Sequence, residues 1–372
     1  MTTTHLTTDE PAPADPPVRT SWRYGWQVAV ALTAFELVLI LLRTVTGRGD
    51  FDQAQVIDSI GAGNRAFGTI LNPNTATAML WAAATVLLLF VAIRQLAGDT
   101  LTTGTLVLVF VVSPLAWDAF RPGSPFATTV LVGTALFVVT RAAVTGRCSA
   151  LWLLPLGAVA VLLNSTHLVG VLAMALFAGI SLLPWFRGFP GRTRWSALLS
   201  AGGLMVGALA ALAIVKVAFR GATQVGAEAP ADTLARLRQA AMSLQGGVLS
   251  LTSASATSPD YPLDPALTIP LGWVCIAGLA AATALYLTDR RWSAMTVALV
   301  IAAVVAAPVT ASVLSRLTGL HYGVSGMATA TLVPMFLLVS ALVARNRMVN
   351  LVILAYSAIL AVSLLLWSVV PV

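Results

Sequence analysis

Two carboxylates directly follow the first long apolar run of the sequence, and they are the side chains best placed to do chemistry. Asp50 and Asp52 lie in the polar stretch 47–55, which reads GRGDFDQAQ. A carboxylate held at a membrane interface can accept a proton from an attacking hydroxyl group, or bind a divalent cation such as Mg²⁺ or Mn²⁺ on a lipid phosphate. The alternative is that both acids only solvate a loop. We therefore predict both as catalytic candidates, with Asp52 as the candidate metal ligand.

A third acid, Glu36, lies about ten residues inside the first apolar run. An ionised carboxylate near the middle of a membrane costs at least ~2.5 kcal/mol unless it is paired, protonated or facing water. Glu36 is therefore a candidate functional residue, and the alternative is a protonated or hydrogen-bonded packing residue. Arg43 lies seven residues further on, about 10 Å along a helix. We expect this separation to be too large for direct contact unless Arg43 snorkels.

Seven other side chains are candidates for contacts with a substrate: His167, Lys216, Arg236, Arg238, Arg316, His321 and Tyr322. Several of them also have simpler interpretations. Lys216 can snorkel to the interface or meet Glu36, His167 can cap a turn, and the arginines in the 219–265 region can hold lipid headgroups. The aromatic residues Trp117 and Tyr261 are predicted to belong to an interfacial belt.

The elements that must position these side chains are membrane helices. Of the 372 residues, 58% are hydrophobic and only 9% are charged, whereas soluble domains carry roughly 25% charged residues. A spanning helix needs about 20 mostly apolar residues, and the sequence repeats such runs almost end to end. We predict an all-α polytopic membrane protein with about eleven spans, at 25–45, 77–97, 101–119, 126–145, 150–164, 167–186, 196–218, 266–287, 293–315, 323–344 and 350–370.

The charges indicate partners and orientation. The net charge is +7, but the basic residues stand singly or in pairs at the ends of apolar runs, which argues for membrane lipid and against nucleic acid as a partner. The positive-inside rule places the N-terminus in the cytoplasm and the C-terminus outside. Residues 1–24 are then a disordered cytoplasmic tail, and 25–372 form one transmembrane domain with long outer loops at 44–76 and 219–265. Within the second loop, 232–251 has the spacing of an amphipathic helix at the membrane surface.

The order of these features resembles the GT-C superfamily of polyprenyl-phosphate-sugar-dependent membrane glycosyltransferases, and within it an uncharacterised bacterial family of polytopic membrane proteins. That family carries an acidic motif, often Asp-Glu-x-x-His, in the first outer loop. Asp52 matches the second acid, while Phe51 and Gln55 replace the first acid and the histidine. Where the family shows Gly-Arg-Tyr, Gly326 fits, but the Arg and Tyr are replaced by the Met-Ala that follows it, which removes a phosphate partner.

The resemblance implies transfer of a sugar, with inversion, from a polyprenyl-phosphate donor at the outer face of a bacterial cytoplasmic membrane. The base would be Asp52 or Asp50, sometimes with a divalent cation, and the loop at 219–265 would admit the acceptor. His167, Lys216 and Arg316 would be the phosphate contacts. Two other classes remain open: a proton-coupled lipid or amphiphile transporter or flippase that uses Glu36, and a non-enzymatic membrane scaffold.

Overall fold

The chain folds into long apolar helices. The structure is a computed structural model, and it describes residues 22–47, 71–124, 126–144, 147–163, 191–218, 261–264, 267 and 347–369. Within these residues all regular secondary structure is helical. We number the helices α1 (Trp22–Val45), α2 (Thr75–Ala97), α3 (Thr100–Val111), α4 (Pro114–Ala119), α5 (Phe126–Val144), α6 (Leu153–Leu163), α7 (Gly191–Ala218) and α8 (Arg347–Val369), with a 3₁₀ turn at Ala150–Trp152.

Helices α1, α2, α7 and α8 are long and apolar enough to cross a membrane. Their apolar segments are Tyr24–Val45, Thr75–Gln95, Trp195–Ile214 and Arg347–Val369. The prediction of a helical chain is confirmed, and the described residues include four candidate membrane-spanning helices. The count of about eleven spans and the GT-C-like arrangement remain predictions. The amphipathic helix predicted at 232–251 lies outside the described residues.

The predicted third span, 101–119, is wrong as a single helix, because it breaks at Val112 and Ser113. α3 ends at Val111, Ser113 is extended at φ −76° and ψ 150°, and α4 begins at Pro114. Proline has no N–H to continue the ladder and disfavours helical geometry in the residue before it. The Ser113 hydroxyl then caps the new helix by accepting a hydrogen bond from the Ala116 N–H at 3.2 Å. The segment 101–119 is therefore two helices, α3 and α4, separated by a break at Val112 and Ser113.

Side-chain contacts fix the relative directions of the helices around α3. The hydroxyl oxygens of Thr44 and Thr75 lie 3.4 Å apart, so the end of α1 meets the start of α2 and these helices are antiparallel. Asn350 Nδ2 donates to the Thr102 hydroxyl at 2.8 Å, so α8 and α3 start at the same end. α3 is buried from Thr102 to Val111 and packs against α1, α2 and α8. We call the end where α3 and α8 start the Asn350 end, and the opposite end, where α1 finishes, the Arg43 end.

Helices α6 and α7 form the closest helix pair in the described part of the chain. α6 is short, as predicted for 150–164, and follows directly on the 3₁₀ turn. A Cβ atom added at Gly207 would overlap the Leu154 carbonyl oxygen, and one at Gly157 would lie 2.7 Å from the Leu204 carbonyl oxygen. Small residues let membrane helices approach backbone to backbone, and these glycines do so here.

Candidate functional site

The structure describes one of the predicted site residues in full, Glu36. Lys216 lies in α7, but its side chain is outside the described set. The remaining candidates also lie outside the described residues: Asp50, Asp52, His167, Arg236, Arg238, Arg316, His321 and Tyr322. Among the described residues, no group of three or more His, Cys, Asp or Glu could hold a metal ion. Because Asp52 lies outside the described residues, the cation predicted there remains a prediction.

Glu36 forms an ion pair with Arg43 inside the bundle. Arg43 Nη2 lies 4.0 Å from Glu36 Oε1, and both side chains are 2% exposed. The expectation that Arg43 lies too far away is therefore wrong. Helical side chains lean toward the helix N-terminus, so the long Arg43 side chain runs back along α1 instead of out to the interface. On the way its Nε donates to the Leu39 carbonyl oxygen at 3.3 Å.

The same guanidinium joins α1 to α4. Arg43 Nη1 donates to the Trp117 carbonyl oxygen at 2.7 Å, and its central carbon lies 4.2 Å from the centre of the Trp117 ring. The Trp117 carbonyl is in the last turn of α4, where helical carbonyls lack partners within the helix and where a cation is favoured. Arg43 thus supplies both the donor and the charge that the short helix α4 needs at its end.

Aromatic side chains surround Trp117 next to the Glu36–Arg43 ion pair. The Trp117 ring packs edge to face against Tyr261 at 5.9 Å and against Trp367 at 5.7 Å between ring centres. The Tyr261 hydroxyl donates to the Val112 carbonyl oxygen at 2.7 Å, at the break between α3 and α4. Burial raises the pKa of the Tyr261 phenol. We call Glu36, Arg43, Trp117, Tyr261 and Trp367 the Arg43 cluster.

The assignment of Trp117 and Tyr261 to an interfacial belt is wrong. Trp117 is 4% exposed and Tyr261 is 7% exposed. The sequence shows only that both stand near the ends of apolar runs. Packing of α4 and α8 together with the 261–264 segment covers both rings, and a buried tyrosine hydroxyl then needs the partner it finds at Val112.

Asn72 organises the neighbouring turns at the same end of the bundle, and the sequence analysis missed it. Its Nδ2 donates to the carbonyl oxygens of Arg121 at 2.7 Å and Ser124 at 3.2 Å, and its own carbonyl accepts from the Gly123 N–H at 2.6 Å. It is fully buried. The Asn-Pro-Asn sequence at 72–74 is a turn signal, but nothing in it identifies the partner 49 residues away.

The cluster can change its charge. Glu36 and Arg43 together are neutral when both are ionised, and uptake of one proton by Glu36 leaves a single positive charge on Arg43. The second carboxylate oxygen, Oε2, is buried and has no hydrogen-bond partner among the described residues. That oxygen is where a proton can be accepted without breaking an existing hydrogen bond. Arg43 itself is too deeply buried to bind a substrate phosphate.

Comparisons of the chain with protein-family models, with curated proteins and with solved structures found no match.

Proposed function

We propose that this chain is a multi-pass membrane protein that moves a lipid or another amphiphile across the bilayer in a proton-coupled cycle, with Glu36 as the coupling acid. The observation that carries the proposal is the state of Glu36. It is 2% exposed, it has one oxygen 4.0 Å from Arg43, and its other oxygen lacks a partner among the described residues. Ionisable groups at membrane depth are costly, and in membrane proteins they mark proton relays and substrate paths.

The break between α3 and α4 supports the same proposal. Transporter substrate sites are commonly formed where a membrane helix is interrupted, because the unwound backbone there can contact a substrate or ion. Here the break at Val112–Ser113 is joined to the ion pair through Tyr261 and Trp117. A change in the charge of Glu36 alters the force on Arg43, and Arg43 holds the last turn of α4. The cluster therefore links protonation to the position of the broken helix.

The orientation belongs to the same proposal. Arginines at the starts and ends of the apolar runs favour a cytoplasmic N-terminus and an outer C-terminus. The Arg43 end of the bundle then lies at the outer face of a bacterial cytoplasmic membrane, and the Asn350 end lies at the cytoplasmic face.

Transport is tested with the full chain in phospholipid vesicles that carry an imposed pH gradient. The probe is a fluorescent phosphatidylglycerol whose outer-leaflet fraction is measured by chemical quenching. We expect wild-type movement to depend on the gradient and Glu36→Gln to lose that dependence. Ser368→Ala, which removes a fully buried hydroxyl from α8, is the control and should behave as wild type. Gradient dependence that survives Glu36→Gln contradicts the proposal.

A second candidate, a glycosyltransferase that uses a polyprenyl-phosphate sugar, is favoured by the anchoring of the first outer loop. The loop at 44–76 leaves α1 just after Arg43, which is fixed to α4, and returns beside Asn72, which is fixed to the turn before α5. The Thr44–Thr75 contact brings the two ends of the loop together. Asp50 and Asp52 belong to a loop that is held in this way at both ends, which suits a catalytic acid.

The two candidates make different predictions for the same set of variants. Under the glycosyltransferase proposal, replacing Asp50 and Asp52 together with Asn abolishes sugar transfer from a polyprenyl-phosphate donor to a membrane acceptor, while Glu36→Gln leaves the transfer intact. Transfer that persists in the Asp50→Asn, Asp52→Asn protein contradicts the glycosyltransferase candidate. Loss of gradient-driven lipid movement in Glu36→Gln alone favours the transporter.

A further inference from the structure

Four fully buried hydroxyl groups among the described residues, those of Thr85, Thr105, Thr140 and Ser357, have no hydrogen-bond partner there. The usual partner for a serine or threonine in a helix is the carbonyl four residues earlier. Thr134 and Ser368 bond in this way at 3.0 and 2.7 Å. The four unpartnered hydroxyls do not, and none of the described residues supplies them with another partner. Their oxygens are free to bond to something between the helices.

Two of these hydroxyls lie in the interface between α3 and α8. Asn350 and Thr102 mark this interface, because they are hydrogen-bonded to each other. Thr105 is three residues after Thr102 and therefore on the same face of α3, about 4.5 Å further from the Asn350 end. Ser357 is seven residues after Asn350, two turns along the same face of α8, and so about 10 Å further from that end.

Glu36 lies further from the Asn350 end than Ser357 does, and it faces inward from α1. Val28 contacts α3, since a Cβ at Gly104 would lie 3.0 Å from Val28 Cγ1, and Thr44 contacts α2. Glu36 is eight residues from each of these residues, so it points about 80° from both contact directions, toward the space between α2 and α3. Its depth is about 12 Å beyond Val28. Glu36 thus lies about 15 Å from the level of Thr102.

Thr85 completes the series on α2. It is ten residues from Thr75, which meets Thr44, and this places Thr85 about 15 Å from the Arg43 end. Glu36 is about 12 Å from that end. Measured along the bundle axis from the Asn350 end, Thr105 lies at about 4.5 Å, Ser357 at about 10 Å, Thr85 at about 12 Å and Glu36 at about 15 Å, so the largest axial step is about 6 Å. Two successive O–H···O hydrogen bonds through one water molecule span about 5.5 Å.

We propose that Thr85, Thr105 and Ser357 line a hydrated polar track that carries protons between the Asn350 end of the bundle and Glu36. The inference rests on the proposed coupling role of Glu36 and adds the path by which its proton arrives. Along the track each hydroxyl or water accepts one proton and passes on another, and Glu36 Oε2 takes up the last. The reverse sequence returns the proton to water at the Asn350 end, so no other reactant is needed.

Few charged groups compete with Glu36 for this proton. Of the described side chains on the helices packed around it, Arg43 is the charged group in contact with it. Arg94 on α2, Asp99 at the start of α3 and Arg347 on α8 lie at the Asn350 end, where the proton enters the track. Asp118 belongs to α4, and its side chain is outside the described set. Beyond that entrance, Glu36 is the acidic side chain that the described residues place along the track.

The track is tested by following protonation of Glu36 directly. The full chain in phospholipid vesicles is subjected to a rapid fall in pH, and the carboxylic acid carbonyl band is followed by time-resolved infrared spectroscopy. The band missing from Glu36→Gln is assigned to Glu36. We expect Thr105→Val and Ser357→Ala to slow the appearance of this band by roughly 10- to 100-fold, because a positioned proton-transfer group contributes on that order or more.

Matched controls separate a track from general packing. Thr134→Val and Ser368→Ala remove hydroxyls that are equally buried but bonded to their own helices, and they should leave the rate unchanged. Thr105→Ser keeps the hydroxyl and should retain the wild-type rate. Wild-type rates in both Thr105→Val and Ser357→Ala overturn the track, as does equal slowing in the controls. If the wild type shows no band that depends on Glu36, the proposed function itself fails.

Discussion

The ion pair between Glu36 and Arg43 predicts an unequal pattern of stability losses. The two charges are 4.0 Å apart and both side chains are 2% exposed. At an effective dielectric constant of about 20, their attraction is about 4 kcal/mol. Most of that energy offsets the cost of removing both groups from water. The measurable quantity is therefore the loss that follows when one partner is left alone.

Arg43→Gln should cost the most, about 3–5 kcal/mol, because it leaves a buried carboxylate without its counter-charge. It also removes the 2.7 Å hydrogen bond to the Trp117 carbonyl and the cation–π contact with that ring. Glu36→Gln should cost less, about 1–3 kcal/mol, because Arg43 keeps its contacts with Trp117 and Leu39. The double variant should cost no more than Arg43→Gln alone. The coupling between the two sites is then at least as large as the Glu36→Gln loss, about 1–3 kcal/mol.

The assay is reversible unfolding in mixed detergent micelles, followed by tryptophan fluorescence, for wild type, both single variants and the double variant. Arg347→Gln, at an exposed position at the start of α8, is the control and should change stability by less than about 0.5 kcal/mol. If the two single losses simply add in the double variant, the pair does not interact and the interpretation of the cluster is refuted.

Two further predictions concern packing and pH. Gly207→Ala should destabilise the protein by about 1–3 kcal/mol, because the new Cβ would overlap the Leu154 carbonyl oxygen. Gly202→Ala, whose Cβ would have nothing within 4 Å, should stabilise α7 by about 0.5–1 kcal/mol. Thermal unfolding of the two variants measures the difference, and equal effects contradict the close α6–α7 contact. Burial raises the pKa of the Tyr261 phenol. The neutral phenol therefore contributes fully to the free energy of unfolding below the free phenol's pKa of about 10, and this contribution is lost as the pH rises above about 10. Unfolding measured at pH 9 and pH 11 should therefore show a smaller loss in Tyr261→Phe than in wild type, and an identical loss in both contradicts the burial of the phenol.

The positions of the long helices could be predicted from the sequence because the bilayer imposes a simple requirement. Every backbone polar group in hydrocarbon must be paired within the segment, so an apolar run of sufficient length becomes a helix. The predicted spans 77–97 and 350–370 correspond to Thr75–Ala97 and Arg347–Val369. The break at Ser113 could not be found in the same way. Hydropathy stays high across it, and a proline inside an apolar run does not always end a helix.

The candidate site could be predicted only in part. Glu36 can be identified from its own position in the sequence, whereas most contacts of the cluster join residues that are far apart in the sequence. Glu36 stands out from the sequence alone through the cost of a carboxylate in hydrocarbon. Its partner Arg43 is near in sequence, but the contact depends on the direction of a long side chain. The other contacts join residues 74 and 149 positions apart, from Arg43 to Trp117 and from Tyr261 to Val112. No periodicity in a single sequence identifies such pairs.

The two candidate functions place opposite demands on the Arg43 cluster. A glycosyltransferase needs Arg43 and Trp117 to stay fixed, so that the loop after α1 holds its acids in place. A proton-coupled transporter needs the same contacts to loosen when Glu36 gains a proton, because a cluster that never rearranges cannot transmit the change to the break between α3 and α4. Hydrogen exchange of the α4 backbone at two pH values separates these demands. Exchange that rises on acidification in wild type but not in Glu36→Gln favours transport, and exchange independent of Glu36 favours the fixed site.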